Sequence, residues 1–440
     1  MKLFNFRNTI VFVCVLNFSG LVLALEPASE PDIRFRSILY FYPEVKAPAD
    51  GVVAAFFDRF EIVGELPAAS TKPVVTYRLI EDLQDTYPVP DLDYLAYFGR
   101  GLDREQAVRI QNARVGLVVD IAYPMPMSVD GMKAANLTLL EIAEATGGVI
   151  WDSETRELFT PDSWQANRVA PWDGDLPILE KHTVIHAYQH AGGVRAISLG
   201  MAKFGLPDIV VNDFSWSLNR SMGNLINLVA QSFLEGQFPQ EDGTLGISIN
   251  ELADTRYKQE LVASLGINAQ RDVVIQTGKG VREEGDPYNY IVELLFHDQE
   301  GRHSSEIQTN LLSSLFGWED QVAYVQHNAM ITAASESARQ KLDGLKADFN
   351  AGLAPGEFIL LKAPFDIPEG GAEWMWVEVL SWDDDAISGL LKNEPVNIPD
   401  LKGGSEVTVM QQDIFDFIRH YADGTSEGNE TGELILKYQN

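Results

Sequence analysis

Arg114-Val-Gly-Leu-Val-Val-Asp-Ile-Ala-Tyr123 and the segment that follows it decide the architecture of this chain. The run is rich in Val, Leu and Ile, the composition of a buried strand. Val129–Thr146 then changes period. Met132, Leu139 or Leu140, and Ala143 follow helical spacing, and Gly147-Gly148 supplies the stop. Val149–Thr160 returns to strand character, with a turn near Ser153. Upstream, Ile33–Tyr42 and Pro73–Ile80 read as strands, and Leu102–Asn112 as a helix opened by Asp103, Arg104 and Glu105. Strands alternating with helices predict an α/β layer structure over residues 25–165.

The middle of the chain repeats the theme. Lys181–Tyr188, Ile197–Met201 and Ile209–Val211 are strand-like. Ser217–Glu235 carries Leu218, Met222, Leu225, Val229 and Phe233 on one helical face. Ser248 with Glu251 forms a capping-box pattern before a helix that ends at Leu265-Gly266. Strands at Asp272–Gln276 and Tyr288–Phe296 and a helix at Ser304–Phe316 follow. Ile331, Ala334, Ala338, Leu342, Leu345 and Phe349 form a further helical stripe, broken by Gly352, Pro355 and Gly356. The main boundary is expected there, so that 166–350 is a second α/β region ending in an amphipathic helix. Beyond it, Glu357–Ala363, Glu373–Trp382, Ala386–Leu391 and Ser405–Met410 read as short strands, and Asp413–Arg419 as a short helical segment. Residues 351–440 are therefore predicted to form a small SH3-like β-barrel. The fold class is a mixture of α/β and α+β: an N-terminal mixed region followed by a β-barrel domain.

Of the 440 residues, 45% are hydrophobic and 22% charged, which excludes a disordered, collagenous or polytopic membrane chain. The formal net charge is −31. Such a field repels nucleic acid and anionic lipid, so neither is expected as a partner. Residues 1–24 read as a secretory signal. Lys2 and Arg7 make its positive end, Ile10–Ala24 its apolar run, and Val22-Leu23-Ala24 its cleavage site. The apolar run is shorter than the roughly 20 residues of a spanning helix. Cleavage would leave a periplasmic or extracellular protein of net charge −33, with no membrane attachment. Cys14, the one cysteine, would leave with the signal, so disulfides, thiolate metal sites and a cysteine nucleophile are excluded.

The histidines are few. His182, His186 and His190 are spaced four apart; on a strand, neighbours would stand about 13 Å from each other, too far to share an ion. His297 and His303 flank Asp298-Gln299-Glu300, a weak candidate for a metal. No HExxH, G-x-S-x-G or phosphate-loop pattern occurs. Gly278-Lys279-Gly280 and Asp383-Asp384-Asp385 read as hairpin turns. Neither a metal nor a cofactor is expected. If the chain were an exported hydrolase, its candidate groups would be Asp120, Asp152, His182 and His186, polar groups near predicted strands.

The most informative cluster is Glu373-Trp374-Met375-Trp376-Val377-Glu378-Val379-Leu380-Ser381-Trp382. Strict alternation puts Trp374, Trp376, Glu378, Leu380 and Trp382 on one face, and Met375, Val377, Val379 and Ser381 on the other. The aliphatic face is the natural core. The aromatic face is then free for a ligand or for the neighbouring domain, and Trp374, Trp376, Trp382 and Glu378 are the expected binding residues for a protein or peptide partner.

This cluster also carries a resemblance. Phe358–Phe365, Glu373–Val379, Gly389-Leu-Leu-Lys-Asn393-Glu-Pro395, Leu401-Lys-Gly403 and Asp413-Ile-Phe-Asp416 together resemble the bacterial domain of unknown function 2314, also called YegJ-like. Gly148–Arg156 and Leu199–Asp208 are similar to the family numbered 4261, an α/β region. The resemblance implies a small β-rich C-terminal domain and a bacterial origin. It implies no activity. Gly389 and Asn393-Glu394-Pro395 read as fold-specifying, a close backbone approach and a turn.

Overall fold

The computed structural model describes residues 32–439, apart from 173, 175, 191–192, 267, 298–303, 318–328 and 369–370. The expected signal with Cys14, and His303, lie outside the described residues.

Three sheets make up a mixed α+β fold. The first runs, in spatial order, Glu61–Ile62, Val74–Ile80, Gly116–Tyr123, Ile33–Tyr40, Val149–Asp152, Glu157–Phe159, Gly99–Arg100. Its central strands are antiparallel, and only the short edge pairs are parallel. Gly116–Tyr123 is almost entirely buried, as its composition requires. Ser128–Thr146 covers one face with Met132, Ala135, Leu139, Ile142 and Ala143, and ends at Gly147 in the left-handed region.

The second sheet runs Thr244–Ser248, Asp272–Lys279, Ile291–Leu295, Asp208–Phe214, Gly193–Leu199, Val184–His190. The helix Asn219–Leu234 buries Met222, Leu225, Val229 and Phe233 against it. Ser248 precedes the short 3-10 turn Ile249–Glu251 but makes no side-chain capping bond there, and it does not cap the longer helix that follows. It closes a strand in which Leu245 and Ile247 point inward, and the next helix, Thr255–Ala263, is capped by Asp254. One continuous core holds Leu117 and Leu139 of the first region together with Val211 and Leu225 of the second. Packing therefore does not separate the two regions near residue 165.

The third sheet is antiparallel throughout, in the order Glu406–Met410, Ala386–Leu391, Ala372–Asp383, Phe358–Asp366, Asp416–His420, Ser426–Gly428. It does not close, so the expected SH3-like barrel is replaced by an open sheet. The reason is the helix Ala329–Ala351. Its Ala338, Leu342 and Leu345 share one core with Ile359, Leu361, Met375 and Val377, which buries the apolar face without closure. This helix therefore belongs to the C-terminal domain and does not end the second α/β region. The helical segment expected at Asp413–Arg419 is instead a short turn leading into the strand Asp416–His420, where pairing with Phe358–Lys362 overrides local propensity. Gly389 performs the close approach read from the sequence: a Cβ there would stand 2.1 Å from the Glu378 carbonyl oxygen.

Candidate functional site

A bulge in the second sheet begins the site. The pairing of Asp208–Phe214 with Gly193–Leu199 shifts register between Val211 and Phe214, and Asp213 takes φ +54°. Gly193 lies opposite; a Cβ there would come within 2.9 Å of the Asp213 Cα. The chain then turns through Ser215, Trp216 and Ser217 into Asn219–Leu234. Trp216 Nε1 donates to Gln189 Oε1 at 2.9 Å.

The C-terminal domain meets this turn. Ser217 N donates to Glu378 Oε1 at 3.3 Å, and Ser217 Oγ donates to Glu378 Oε2. Lys392 Nζ lies 3.6 Å from the same oxygen. A second contact joins Ser405 Oγ to Glu306 Oε1 at 2.7 Å. Between the two contacts opens a cavity of about 470 Å³. Its apolar walls include Phe214, Phe349, Leu353 and Leu380, the last 44% exposed. Its charged lining among the described residues is Asp213, Glu357, Glu378 and Glu406. Arg419 neutralises Glu357 at 2.7 Å. Among the described residues no cation pairs with Asp213 or Glu406. An apolar cleft with surplus carboxylate suits a segment that carries both basic and apolar side chains.

The four expected binding residues do not stay together. Trp374 is half-buried against Phe415, ring centroids 4.6 Å apart. Trp376 is half-buried, with Lys362 Nζ 5.4 Å from its ring centre, and its backbone N donates to Asn393 Oδ1. Glu378 is buried at the domain contact and lines the cleft. Trp382 is a correction: it is 2% exposed and lies in the core with Met375 and Val377. A register shift between Val379 and Ser381 reverses the alternation, so Trp382 changes faces.

The hydrolase candidates make no hydrogen bond to one another among the described residues, although Asp152 and His182 share Arg168 and Lys203 as neighbours. Asp120 accepts from Arg36 Nε at 2.6 Å and Arg78 at 3.1 Å on the first sheet. His186 packs against Phe98, and burial pulls its imidazole down to about 4. His190 Nε2 lies 3.3 Å from Glu283. His182 is enclosed by Trp172 and Phe204; burial, with Arg168 and Lys203 nearby, holds it neutral.

Asp152 sits in a sealed ionic network that the sequence did not announce. Lys203 Nζ is 2.6 Å from Asp152 Oδ2, and Arg168 lies 3.5 Å away. Arg168 also pairs with Glu157 at 2.8 Å, and Glu157 with Arg100 at 2.7 Å. Burial alone would push the Asp152 carboxyl up; Lys203 and Arg168 outweigh it and hold it below the usual carboxylate range. Lys203 is a lone lysine in the glycine-bounded run Gly200–Gly205, the one signal that could have marked it. Asp208, at the end of the same motif, accepts from Ser198 Oγ at 2.9 Å and Asn289 Nδ2 at 2.7 Å, and burial pushes it up to about 7.

In the C-terminal domain, the polar residues of the quoted motifs have structural partners. Glu373 accepts from Asn397 N at 2.7 Å, Glu394 from Gly403 N at 2.8 Å, and Asp416 from Thr431 N at 2.9 Å. A C-terminal domain built from an open sheet with the helices Ala329–Ala351 and Glu430–Gln439, held by the buried motif carboxylates Glu373 and Asp416, defines the class. Residues 328–435 match the family described as an uncharacterized protein conserved in bacteria, DUF2314, and so include the helix Ala329–Ala351 with the sheet. No curated protein and no solved structure matches the chain. Among the described residues no helix is long and apolar enough to cross a membrane.

Proposed function

We propose that this chain is an exported, non-enzymatic binding module whose interdomain cleft holds a basic, partly apolar peptide segment of a partner protein. The observation that carries the reading is the cleft itself. It joins an exposed Leu380 to Asp213 and Glu406, which pair with no cation among the described residues, and it lies where two domains meet. The motif residues of the C-terminal domain support it, because their polar groups are engaged in holding the fold. Among the described residues none of Asp120, Asp152, His182 and His186 hydrogen-bonds to another, and Asp120 and Asp152 are held by arginine or lysine partners, which favours the binding reading over a hydrolase.

The test is fluorescence polarisation with extended peptides of equal length, apolar content and labelling, at net charge +3, 0 and −3 as roughly chosen probes. The +3 peptide is expected to bind at least about tenfold more tightly than the −3 peptide, with affinity falling as salt rises. Asp213→Asn and Glu406→Gln are each expected to weaken it by about two- to fivefold. Equal affinities at all three charges, or variants without effect, would overturn the reading. Export rests on residues 1–24. N-terminal sequencing of protein recovered from the bacterial periplasm or medium is expected to begin at Leu25, and full-length protein confined to the cytoplasm would refute export.

A further inference from the structure

A second cavity, of about 480 Å³, lies away from the cleft, where the first sheet meets the loop after Asp272–Lys279. Three arginines line it: Arg34, Arg156 and Arg282. In a chain with 64 acidic side chains, these three have no carboxylate within ion-pair distance among the described residues, although Glu154 acts on Arg156 from further away. Arg34 donates to the Pro67 carbonyl oxygen, and Arg156 donates to that of Gly285 at 2.6 Å. Arg282 lies over the Tyr288 ring at 4.5 Å, and Tyr288 itself is 94% exposed at the rim. Each guanidinium keeps further N–H donors beyond the bond that anchors it.

Two of the acidic residues of the same cavity are engaged elsewhere. Asp286 is taken by Arg195 at 2.6 Å. Glu283 is shared by His190 at 3.3 Å and Arg195 at 3.7 Å. Burial, reinforced by Asp152, pushes the Glu154 carboxyl up, against the opposing pull of Lys203 and Arg156. Glu284 is the exposed exception. Arg156 holds φ +58°, a left-handed conformation fixed by the turn at residues 153–156.

From this arrangement we infer that the cavity lined by Arg34, Arg156 and Arg282 binds a small, multiply charged oxyanion, a compound bearing carboxylate or phosphate groups. Planar guanidinium forks match such oxygens in pairs, and three of them select a dianion or trianion over a monoanion. The volume admits a molecule of a few carbons and excludes a folded macromolecule. The acidic field of the rest of the chain lowers the affinity for stray anions, so capture depends on the local cluster.

Calorimetric titration of the full mature chain at fixed ionic strength, with acetate, succinate, citrate and inorganic phosphate, tests the inference. At least one multiply charged anion is expected to bind about tenfold or more tightly than acetate. Arg34→Gln and Arg282→Gln, both at exposed positions, are each expected to weaken that anion by about fivefold or more while the thermal midpoint of the free protein stays unchanged. Phosphate preferred over citrate would assign the phosphorylated class, and the reverse the carboxylate class. Four anions of equal affinity, no measurable binding, or variants that bind as the parent would overturn it.

Discussion

Asp152→Ala is expected to lower the stability of the N-terminal region by about 3–5 kcal/mol, the cost of leaving buried cations without their counter-charge. Asp152, Lys203 and Arg168 are all almost wholly enclosed, and Lys203 has no other carboxylate within ion-pair distance among the described residues. Removing the carboxylate strands the ammonium in a low dielectric, while Arg168 retains Glu157. Urea unfolding followed by tryptophan fluorescence measures the loss. The double variant Asp152→Leu with Lys203→Met is expected to recover most of it, because an apolar pair needs no charge balance. A loss below about 1 kcal/mol in the single variant would show that the pair is solvated and the network open.

The same carboxyl sets a pH limit. Its folded value lies below that of the unfolded chain, roughly 3.9 for an ordinary Asp. Its contribution is therefore fully present above that unfolded value and is lost as pH falls through the lower folded value. The parent should show an acid limb in this window, and Asp152→Ala should flatten it.

This network also shows where reading the sequence stops. Asp152 and Lys203 are 51 positions apart, and neither hydropathy nor spacing reports that they touch. Their contact is a property of the packed pair of sheets. Elements with strong periodicity were legible: Ser128–Thr146 with its glycine stop, the helix Asn219–Leu234, and the strand Gly116–Tyr123. Ownership was not. Ile331–Phe349 read correctly as a helix, but only three-dimensional packing assigns it to the C-terminal sheet. That assignment is also why the sheet stays open, since a helix lid and barrel closure are alternative ways to bury one apolar face. Of the expected site, Glu378 reaches a cleft, Trp374 and Trp376 pack locally, and the partner wall at Asp213 and Trp216 comes from a bulge that no residue type announces.

Trp382→Ala is expected to cost about 3–5 kcal/mol, a large-to-small change in a closed core. The bulge at Leu380 is the reason. It leaves Leu380 on the outward face, where alternation already puts it, and turns Trp382 inward, onto the layer formed with Ile387 and Leu391. There the indole Nε1 donates to Gln411 Oε1 at 3.0 Å, so the substitution leaves both a void and an unpaired acceptor. Trp376→Ala removes a half-buried ring and its contact with Lys362, and is expected to cost less than about 2 kcal/mol. The two tryptophans are six residues apart on one strand, so unbroken alternation would give them the same face and similar costs. Urea unfolding of both variants in the full chain separates the possibilities. A cost at Trp382 equal to or below that at Trp376 would mean that the strand runs without the bulge, and that Trp382 is available to a partner after all. A cost several times larger at Trp382 places it in the core and leaves Leu380 as the apolar contact the strand offers to the cleft.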